Sequence, residues 1–338
     1  MNQSDFRGQI QAAMHMAFPE YETRVAAFYA MQQYQLGWRD ERLDPASVDP
    51  GKLLRPQLVL LACRAAGGDP RQALPLAAGI QLIHDFSLIH DDIEDDSDTR
   101  RGRPTVWKLW GLAQGINTGD GMFAVAHLAV HRLAEAGVRP EVVLEVLRRF
   151  DETTLTICEG QFLDLSYEGS LSISEADYLA MISRKTAALI AAAASLGAIV
   201  GGADPATARS MFEYGQSLGL AFQIQDDVLG IWGDPRVTGK PEAADLYRRK
   251  LSLPVIHALH NSDQRAALAR LYGQSSESAA DVGQILAILD AAGSRDYTAG
   301  VARRYHHQAL AALDATQGRP DALADLRALT ERLLDRQF

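Results

Sequence analysis

The sequence predicts an all-α protein, and three observations support this prediction. Apolar residues recur with the period of a helix along almost the whole chain. Convincing alternating strand patterns are absent. Residues that break helices separate the periodic segments. We expect helices near residues 4–36, 51–66, 70–95, 116–136, 139–167, 174–201, 205–232, 252–271, 278–311 and 320–337.

Short segments that contain helix-breaking residues separate several of these predicted helices. They are Asp44-Pro45, Asp49-Pro50-Gly51, Gly67-Gly68-Asp69-Pro70, Arg139-Pro140, Asp204-Pro205 and Gly318-Arg319-Pro320. Two further segments, 94–105 and 233–250, are too polar and too rich in Gly and Pro for a buried helix. No linker divides the chain into independent halves, so we predict one all-helical domain over residues 1–338.

Composition narrows the class of protein. The 338 residues include 33 Lys and Arg against 43 Asp and Glu, for a formal net charge of −10, so we expect no nucleic-acid partner. Cys63 and Cys158 are too few for a disulfide framework and fit a reducing cytoplasm. The first thirty residues lack the apolar core of a signal peptide. Residues 186–203 are uncharged but rich in Ala and Gly, which predicts a buried helix and no transmembrane segment.

The predicted helix at 70–95 ends in a run of acids. Asp91 and Asp95 are four residues apart, so they project from one face of the helix about 6 Å apart along its axis, with His84 on the same stripe. Two carboxylates at this spacing repel each other, and the C-terminal end of the helix dipole disfavours both. A bound cation removes this penalty, and hard oxygen ligands without a thiolate favour magnesium.

Arginines follow these acids directly, at Arg100, Arg101 and Arg103. Guanidinium groups bind phosphate oxygens through paired hydrogen bonds. Acids that hold magnesium and arginines that hold phosphate together indicate a diphosphate site. The alternative is a solvated loop whose opposite charges pair with one another.

The same pattern occurs at the end of the predicted helix 205–232. One face of that helix carries Gly219, Gln223, Asp226 and Gly230, with Asp227 adjacent. The basic residues that follow are Lys240, Arg248, Arg249 and Lys250. We expect the two acidic helix ends to face each other across a cavity in a helical bundle, where such sites are built. The alternative is two unrelated charged helix ends.

Several separate motifs resemble those of the polyprenyl synthetase family, the trans-isoprenyl diphosphate synthases. The family's first aspartate-rich region resembles LIHDDIEDDSDTRRGRPTVW, and its second resembles FQIQDDVLGIWGDPRVTGKP. Further matches occur in family order at GKLLRP (51–56), GQFLDL (160–165) and RKTAAL (184–189). The resemblance covers roughly residues 30–260, and the set of motifs is far more specific than a lone DDxxD.

The resemblance implies an isoprenoid-synthase helical bundle around a deep central cavity, usually in a homodimer. It implies head-to-tail condensation of isopentenyl diphosphate with an allylic diphosphate (dimethylallyl, geranyl or farnesyl), using two or three Mg²⁺ ions bound with the diphosphate. The allylic C–O bond ionises, and the carbocation must meet the double bond of isopentenyl diphosphate before water does. A dry apolar cavity is therefore needed.

Carried onto this sequence, the resemblance implies three groups of site residues. The metal ligands are Asp91, Asp95 and Asp226, with Asp92 and Asp227 beside them as further catalytic acids. The isopentenyl diphosphate pocket is formed by Lys52, Arg55, His84 and Arg101. The allylic diphosphate is held by Arg100, Lys185, Thr186, Gln223, Lys240 and Lys250. Lys185 also serves catalysis in this assignment.

Product length depends on cavity depth. Phe86 is the fifth residue before Asp91 and Ser87 is the fourth, and the first acidic motif has no two-residue insertion. In the family this combination resembles the archaeal-type geranylgeranyl diphosphate synthases. A bulky Phe86 beside a small Ser87 predicts a pocket of medium depth and a geranylgeranyl product, with farnesyl diphosphate as the near competitor.

The second acidic region departs from the family at Gly230, where many members have a third acid. Asp234 replaces that acid only if the helix ends early or a water molecule intervenes. Asp85, beside the core-facing Phe86, has no explanation in the sequence pattern.

Three alternative functions are compatible with the sequence. A class I terpene cyclase shares the ionisation step but needs no isopentenyl diphosphate pocket. A non-catalytic partner subunit of a heteromeric prenyl synthase is suggested by Gly230 alone. A metal phosphohydrolase of the HD type is suggested by His84-Asp85 and His90-Asp91, but the histidines elsewhere in the chain lack the matching context.

Overall fold

The computed structural model describes residues 3–49, 51–234, 243–273 and 278–334. Helices dominate these residues, which confirms the predicted all-α class. The α-helices are, in chain order, α1 Gln3–Ala17, α2 Ala26–Gln35, α3 Leu54–Ala65, α4 Leu74–Glu94, α5 Val106–Trp110, α6 Leu112–His131, α7 Pro140–Tyr167, α8 Glu175–Ile182, α9 Ala188–Val200, α10 Pro205–Trp232, α11 Ala244–Tyr247, α12 Leu253–Asn261, α13 Arg265–Tyr272, α14 Ala279–Ala291, α15 Ser294–Asp314 and α16 Pro320–Leu334. Short 3₁₀ turns occupy Thr23–Val25 and Pro70–Ala73, and a π-helical turn occupies Ser183–Ala187.

Three predicted helices are each divided in two. The helix predicted at 4–36 is interrupted after α1, just before Pro19. Proline has no N–H to donate, and its ring disfavours helical backbone at the residue before it. Ser262 has extended backbone (φ −88°, ψ 141°) and ends the first half of the helix predicted at 252–271. Gly293 divides the helix predicted at 278–311, because its φ of +67° is left-handed and glycine adopts it without steric cost.

The chain divides into two compact units. The first comprises Met1–Asp151, Ala193–Ala208 and Gly318–Ala322. The second comprises Glu152–Ala192, Arg209–Gln317 and Leu323–Phe338. The single domain over residues 1–338 stays a prediction.

In the first unit, α4 packs against α1, α3 and α6. The contact with α6 is close: a Cβ atom on Gly79 would lie within 3.0 Å of Val130, so only glycine allows this approach. This packing holds α4 along its length and fixes the direction in which its acidic end projects.

A small β-hairpin follows α4, and the described residues show one further β-contact, an isolated bridge between Arg39 and Pro45. Strands β1 (Thr99–Arg100) and β2 (Arg103–Pro104) pair antiparallel. The two residues between them, Arg101 and Gly102, both have left-handed φ values, +52° and +75°, as the tight turn of a two-residue hairpin requires. Arg103 anchors the hairpin to α2 and to the segment after it by donating hydrogen bonds to the carbonyls of Tyr34 (3.1 Å) and Arg39 (2.7 Å).

The second unit buries two apolar clusters. One is built on α10, α12, α13 and α14 around Ile231, Val255 and Ile285. The other gathers α8, α10, α12 and α15 around Tyr178, Ile224 and Val301. Together they hold the C-terminal half of α10, which carries the second acidic motif, in a rigid surrounding.

One helical stretch, Glu175–Val200, is long and apolar enough to span a membrane by length and composition alone, with a mean hydropathy of 1.3. The search covered the described residues, and 67% of the stretch is buried inside the protein. A core helix of a soluble protein passes the same test, so this single stretch is weak support for a membrane span. Residues 187–198 are all buried, in agreement with the buried helix predicted there.

Candidate active site

The first acidic motif lies at the last turn of α4. Asp92 is 1% exposed, whereas Asp91 is partly accessible and Asp95 is exposed. Arg100 joins the motif from β1, donating through Nε to Asp92 Oδ1 at 2.8 Å and through a terminal nitrogen to Asp91 Oδ2 at 3.2 Å. Burial raises the pKa of Asp92 to about 6 against the opposing charge of Arg100, and the neighbouring Asp91 and Asp95 raise it further.

The second oxygen of Asp92, Oδ2, is buried and has no hydrogen-bond partner in the described part of the chain. Leaving such an acceptor unpaired is unfavourable, and positive charge placed nearby would relieve it. Among the residues that the structure describes, no three or more His, Cys, Asp or Glu side chains cluster closely enough to hold a metal ion. Magnesium usually binds through one or two carboxylates plus substrate phosphates. The donor set of this motif therefore fits a magnesium site that a diphosphate completes.

His84, also on α4, is surrounded by basic side chains from other segments. The Arg55 guanidinium lies 3.4 Å from His84 Nε2. Burial, together with the charges of Arg55, Arg101 and Arg100, holds the pKa of His84 well below its ordinary value, so the imidazole is neutral at pH 7. The structure thus brings together three of the four residues of the predicted isopentenyl diphosphate pocket. The fourth, Lys52, is exposed in the loop that leads into α3.

Asp85 is a buried acid for which the sequence pattern gave no reason. It is 3% exposed, and its Oδ2 accepts a hydrogen bond from Gln81 Nε2 at 2.8 Å. Burial raises its pKa to about 6, although the hydrogen bond from Gln81 and the charges of Arg101 and Arg55 oppose the rise. Asp85 therefore places a partly neutral carboxyl beneath the cluster of arginines.

We expect Asp85→Asn to change how stability depends on pH. The unfolded carboxyl ionises near pH 3.8 and the folded one near pH 6, so the wild-type chain loses stability as pH rises through this window. Asparagine still accepts from Gln81 and does not ionise. Denaturant unfolding should give similar free energies for both proteins at pH 4 and a variant more stable by about 1–3 kcal/mol at pH 8. The exposed Glu141→Gln serves as the control, and equal pH profiles of Asp85→Asn and wild type would refute the assignment.

The second acidic motif lies near the end of α10, in the second unit. Asp227 is 1% exposed and accepts hydrogen bonds from Tyr178 Oη, Gln223 Nε2 (3.2 Å) and the backbone N–H of Leu253 (3.4 Å). Burial raises its pKa to about 6, while the charge of Lys250 opposes the rise. Asp226, the preceding residue, is partly accessible. These three hydrogen bonds thus fix Asp227 at the end of the helix.

Gln223 links the second acidic motif to the predicted diphosphate-binding threonine. Thr186 Oγ1 donates to Gln223 Oε1 at 3.0 Å, and Gln223 in turn donates to Asp227. Thr186 and Gln223, both assigned to the allylic diphosphate, therefore lie in one hydrogen-bonded chain with Asp227.

Lys185 lies in the π-helical turn and makes an ion pair with Asp164 of α7, Nζ to Oδ2 at 2.5 Å. π-turns inside helices frequently mark functional positions because they redirect a side chain. A Cβ atom on Gly160 would lie well within 3.0 Å of the Lys185 backbone, so this glycine allows α7 to approach the turn. The sequence did not predict that Asp164 pairs with Lys185, although the motif GQFLDL contains both Gly160 and Asp164.

Lys250 is exposed but has three acids in its electrostatic surroundings. Desolvation opposes its charge, yet the carboxylates of Asp245, Asp227 and Asp164 outweigh desolvation and raise the pKa of Lys250. The ammonium group is therefore charged at pH 7. Lys240, the remaining residue assigned to the allylic diphosphate, lies outside the described residues.

We expect Gly160→Ala to damage both stability and activity. The added methyl group collides with backbone of the π-turn, which has no flexible end to move aside, so we expect a loss of about 1–3 kcal/mol in the free energy of unfolding. Gly283→Ala is the matched control in the same unit, because a Cβ atom there meets nothing within 4 Å. That variant should gain up to about 1 kcal/mol from helix propensity. Thermal denaturation that ranks both variants alike would contradict the close approach.

The comparisons with known proteins agree with this site. The profile of the polyprenyl synthetase family matches residues 39–289. A geranylgeranyl diphosphate synthase from Mycobacterium tuberculosis is 41% identical over 320 residues, 94% of this chain and 89% of that protein. A (2E,6E)-farnesyl diphosphate synthase from the same species is 38% identical over 318 residues, 90% of this chain and 85% of that protein.

Solved structures give the same result. A polyprenyl synthetase from Streptomyces coelicolor has a TM-score of 0.91 at 36% identity, covering 98% of each chain. A geranylgeranyl pyrophosphate synthase from Corynebacterium glutamicum, complexed with isoprenyl diphosphate and magnesium, has a TM-score of 0.83 at 26% identity, covering 99% of this chain and 98% of that one.

The fold and the site define an all-α, isoprenoid-synthase type of protein with acidic motifs beside basic groups. The chain belongs to the polyprenyl synthetase family, and the resemblance drawn from the sequence is confirmed. The predicted activity class, a prenyltransferase that elongates a trans-prenyl chain, is confirmed with it. The roles of individual site residues stay predictions.

Proposed function

We propose that this chain condenses isopentenyl diphosphate with an allylic diphosphate, head to tail, and that its main product is geranylgeranyl diphosphate. The observation that carries the proposal is the arrangement at the end of α4. Two carboxylates there accept from Arg100, and a neutral His84 lies beside Arg55. Such a site offers both cation ligands and phosphate donors, which a diphosphate substrate needs.

Arg55, Arg101 and Lys52 bind the diphosphate of isopentenyl diphosphate, with His84 as a neutral hydrogen-bonding partner. A neutral imidazole adds a hydrogen-bond donor or acceptor without adding another positive charge beside Arg55 and Arg101. Asp85, below the arginines, offsets part of their mutual repulsion. These side chains hold the homoallylic substrate so that its double bond can meet the carbocation.

Lys185, Lys250 and Arg100 bind the allylic diphosphate and favour its departure. Their positive charges stabilise the negative charge that develops on the leaving diphosphate, and preorganised charge of this kind is a large term in catalysis. Thr186 and Gln223 hold further oxygens and orient the group. A proton leaves the new chain at the end of the cycle, and the released diphosphate accepts it, so no protein base is required.

We propose Mg²⁺ as the cofactor, held by Asp91, Asp95 and Asp226. When bound, magnesium withdraws electron density from the diphosphate and makes it a better leaving group. The buried, unpaired Asp92 Oδ2 supports this assignment, and so does the magnesium named in the C. glutamicum complex.

The alternatives differ in their products, so one assay separates them. Purified chain is incubated with Mg²⁺ and isopentenyl diphosphate plus dimethylallyl, geranyl or farnesyl diphosphate in turn, and products are sized by chromatography after dephosphorylation. We expect a C20 alcohol from all three primers. A hydrocarbon would indicate a terpene cyclase, a C15 product a farnesyl diphosphate synthase, and turnover only with an added partner protein a non-catalytic subunit.

Phe86 is proposed as the floor that limits product length. Its ring lies 5.4 Å from that of Phe123 and 4.9 Å from that of His90, both in edge-on geometry, so it is held from two sides. Ser87, next to it, donates its hydroxyl to the His84 carbonyl at 2.8 Å.

We expect Phe86→Ala to lengthen the product to C25 or beyond, because removing the ring opens space below the growing chain. Product sizing by chromatography checks this. Phe212→Ala, which removes an exposed phenylalanine in the second unit, is the control and should leave the C20 product unchanged. An unchanged chain length in Phe86→Ala would reject Phe86 as the floor.

We also propose a cytoplasmic homodimer. Several large apolar side chains are exposed on α7, including Leu144 and Phe162 at 69% each and Leu155 at 63%, and a second copy would cover them. Light scattering of the purified chain measures the mass, for which we expect twice the 36.8 kDa of one chain.

A further inference from the structure

The loop before α3, described at Asp49, Gly51 and Lys52, carries one of the residues assigned to isopentenyl diphosphate. Gly51 has a left-handed φ of +86°, which glycine adopts without steric cost. The Asp49 carboxylate accepts a hydrogen bond from the N–H of Gly51, two residues further on, at 3.2 Å. The Lys52 carbonyl accepts one from Gln57 Nε2 at 2.7 Å. These backbone contacts therefore decide where the exposed Lys52 side chain begins.

Arg7 of α1 reaches this loop from forty-two positions before Asp49 in the chain. A terminal nitrogen of its guanidinium donates both to Asp49 Oδ1 and to the carbonyl oxygen of Gly51, the latter at 2.7 Å. The Arg7 side chain is 49% exposed and that of Asp49 is 75% exposed, and ion pairs this open to water add little to stability. The contact of Arg7 therefore orders the loop more than it stabilises the fold.

Arg101, a second residue assigned to isopentenyl diphosphate, lies against the same loop. A Cβ atom built on Gly51 would lie 3.7 Å from Cζ and from one terminal nitrogen of Arg101, and 3.8 Å from the other terminal nitrogen. Three nearly equal distances place the flat face of the guanidinium towards Gly51. Arg7 thus holds the carbonyl of a residue against which Arg101 packs, and Lys52 is the next residue in the chain.

We propose that Arg7 is a positioning residue for isopentenyl diphosphate, because by fixing the loop before α3 it holds Lys52 and Arg101 in place before this substrate binds. The inference rests on the proposed function. When binding groups are ordered in only a fraction of the molecules, the apparent dissociation constant rises in inverse proportion to that fraction. The allylic diphosphate is assigned to residues outside this loop, such as Lys185 and Gln223, so its binding should not depend on Arg7.

The test uses the full chain and compares its two substrates, each titrated at a saturating concentration of the other with Mg²⁺ present. We expect Arg7→Ala to raise the KM for isopentenyl diphosphate about 10-fold, as for a loop ordered in about one molecule in ten. The KM for farnesyl diphosphate and kcat should stay within about twofold of the wild type, since neither depends on the loop. Arg71→Ala is the matched control: it removes another exposed arginine of the same unit that pairs with an aspartate, Asp69, and should change neither KM.

Asp49→Ala separates positioning from simple attraction between charges. If Arg7 acted only by attracting an anionic substrate, removal of the nearby acid would lower the KM for isopentenyl diphosphate. If Arg7 acts through the loop, Asp49→Ala should instead raise this KM, because the contact between the two residues is lost. The double variant Arg7→Ala with Asp49→Ala should then lie within about twofold of the weaker-binding single variant, since both substitutions break one contact.

Calorimetric titration with isopentenyl diphosphate alone measures its binding apart from turnover, and circular dichroism checks that each variant is folded. We expect the dissociation constant of Arg7→Ala to rise by the same factor as its KM. A folded Arg7→Ala whose two KM values are unchanged, or rise equally, overturns this inference while the proposed function stands, and so does a lower KM in Asp49→Ala or a double variant whose losses multiply. A wild type that makes no prenyl product overturns the proposed function and this inference together.

Discussion

Asp91→Asn should lower kcat for prenyl transfer by about 10³-fold, with little change in the folded structure. The substitution keeps the size of the side chain and its contact with Arg100 but removes the charge that a divalent cation requires. Loss of one preorganised electrostatic partner of a developing charge typically costs about 10²–10³ in kcat, and loss of a metal ligand falls at the upper end. Steady-state kinetics at saturating Mg²⁺, with circular dichroism as the check on folding, measures the effect.

Asp96→Asn is the matched control for this experiment. Asp96 follows the same helix and has a left-handed φ of +48°, a conformation that Asn tolerates as well as Asp does. We expect its kcat to stay within about twofold of the wild type. An Asp91→Asn enzyme as active as Asp96→Asn would show that the acidic end of α4 binds no catalytic cation.

Lys185→Met should lower kcat/KM for the allylic diphosphate by about 10²–10³-fold, in line with the loss of one charge-stabilising group. Methionine keeps the length and the apolar stem of the side chain, so the π-turn and its backbone approach to Gly160 of α7 remain, while the ion pair with Asp164 is lost. The ammonium group is lost, and Asp164 then repels the diphosphate. The KM for isopentenyl diphosphate should change far less, because Lys185 is assigned to the other substrate.

The neighbouring Arg184→Met provides the comparison. Arg184 also lies in the π-turn, but its guanidinium donates to the carbonyl of Ala180 at 3.0 Å and lies 3.6 Å from Glu159. We expect less than a threefold loss in that variant. Equal losses in the two variants would mean that the turn responds to any change of charge, and Lys185 would then have no particular role with the substrate.

The sequence was sufficient for the helical class and for the acids at helix ends because both depend on local spacing. Asp91 and Asp95 share a face at i and i+4 wherever the helix packs, so their pairing needs no knowledge of the fold. The basic groups after the first motif were also visible in the sequence. The different partners of these arginines could not be predicted from the sequence. Arg100 contacts the acids, whereas Arg103 donates to the Tyr34 carbonyl of α2.

The residues that the sequence pattern missed depend on contacts between distant segments. Asp164 was in view within GQFLDL, but its pairing with Lys185 requires α7 to pass the π-turn at the distance that Gly160 allows. The Asp245 carboxylate packs directly against Gly230, fifteen positions earlier in the chain, and no periodicity links the two. Asp85 has an explanation only once burial and the hydrogen bond from Gln81 are known. Sequence periodicity predicts which residues lie on one face of a helix. Contacts between residues of different helices depend on the packing of the folded chain.

Pyrophosphate release tests the central claim most directly, because elongation by this chain must free one diphosphate for every isopentenyl unit added. The wild-type chain is given farnesyl diphosphate, isopentenyl diphosphate and Mg²⁺, and released pyrophosphate is counted against isopentenyl diphosphate consumed. The account predicts a ratio of one, with no release when either substrate or the metal is left out. Pyrophosphate released from farnesyl diphosphate alone, or none released with all three present, would contradict it.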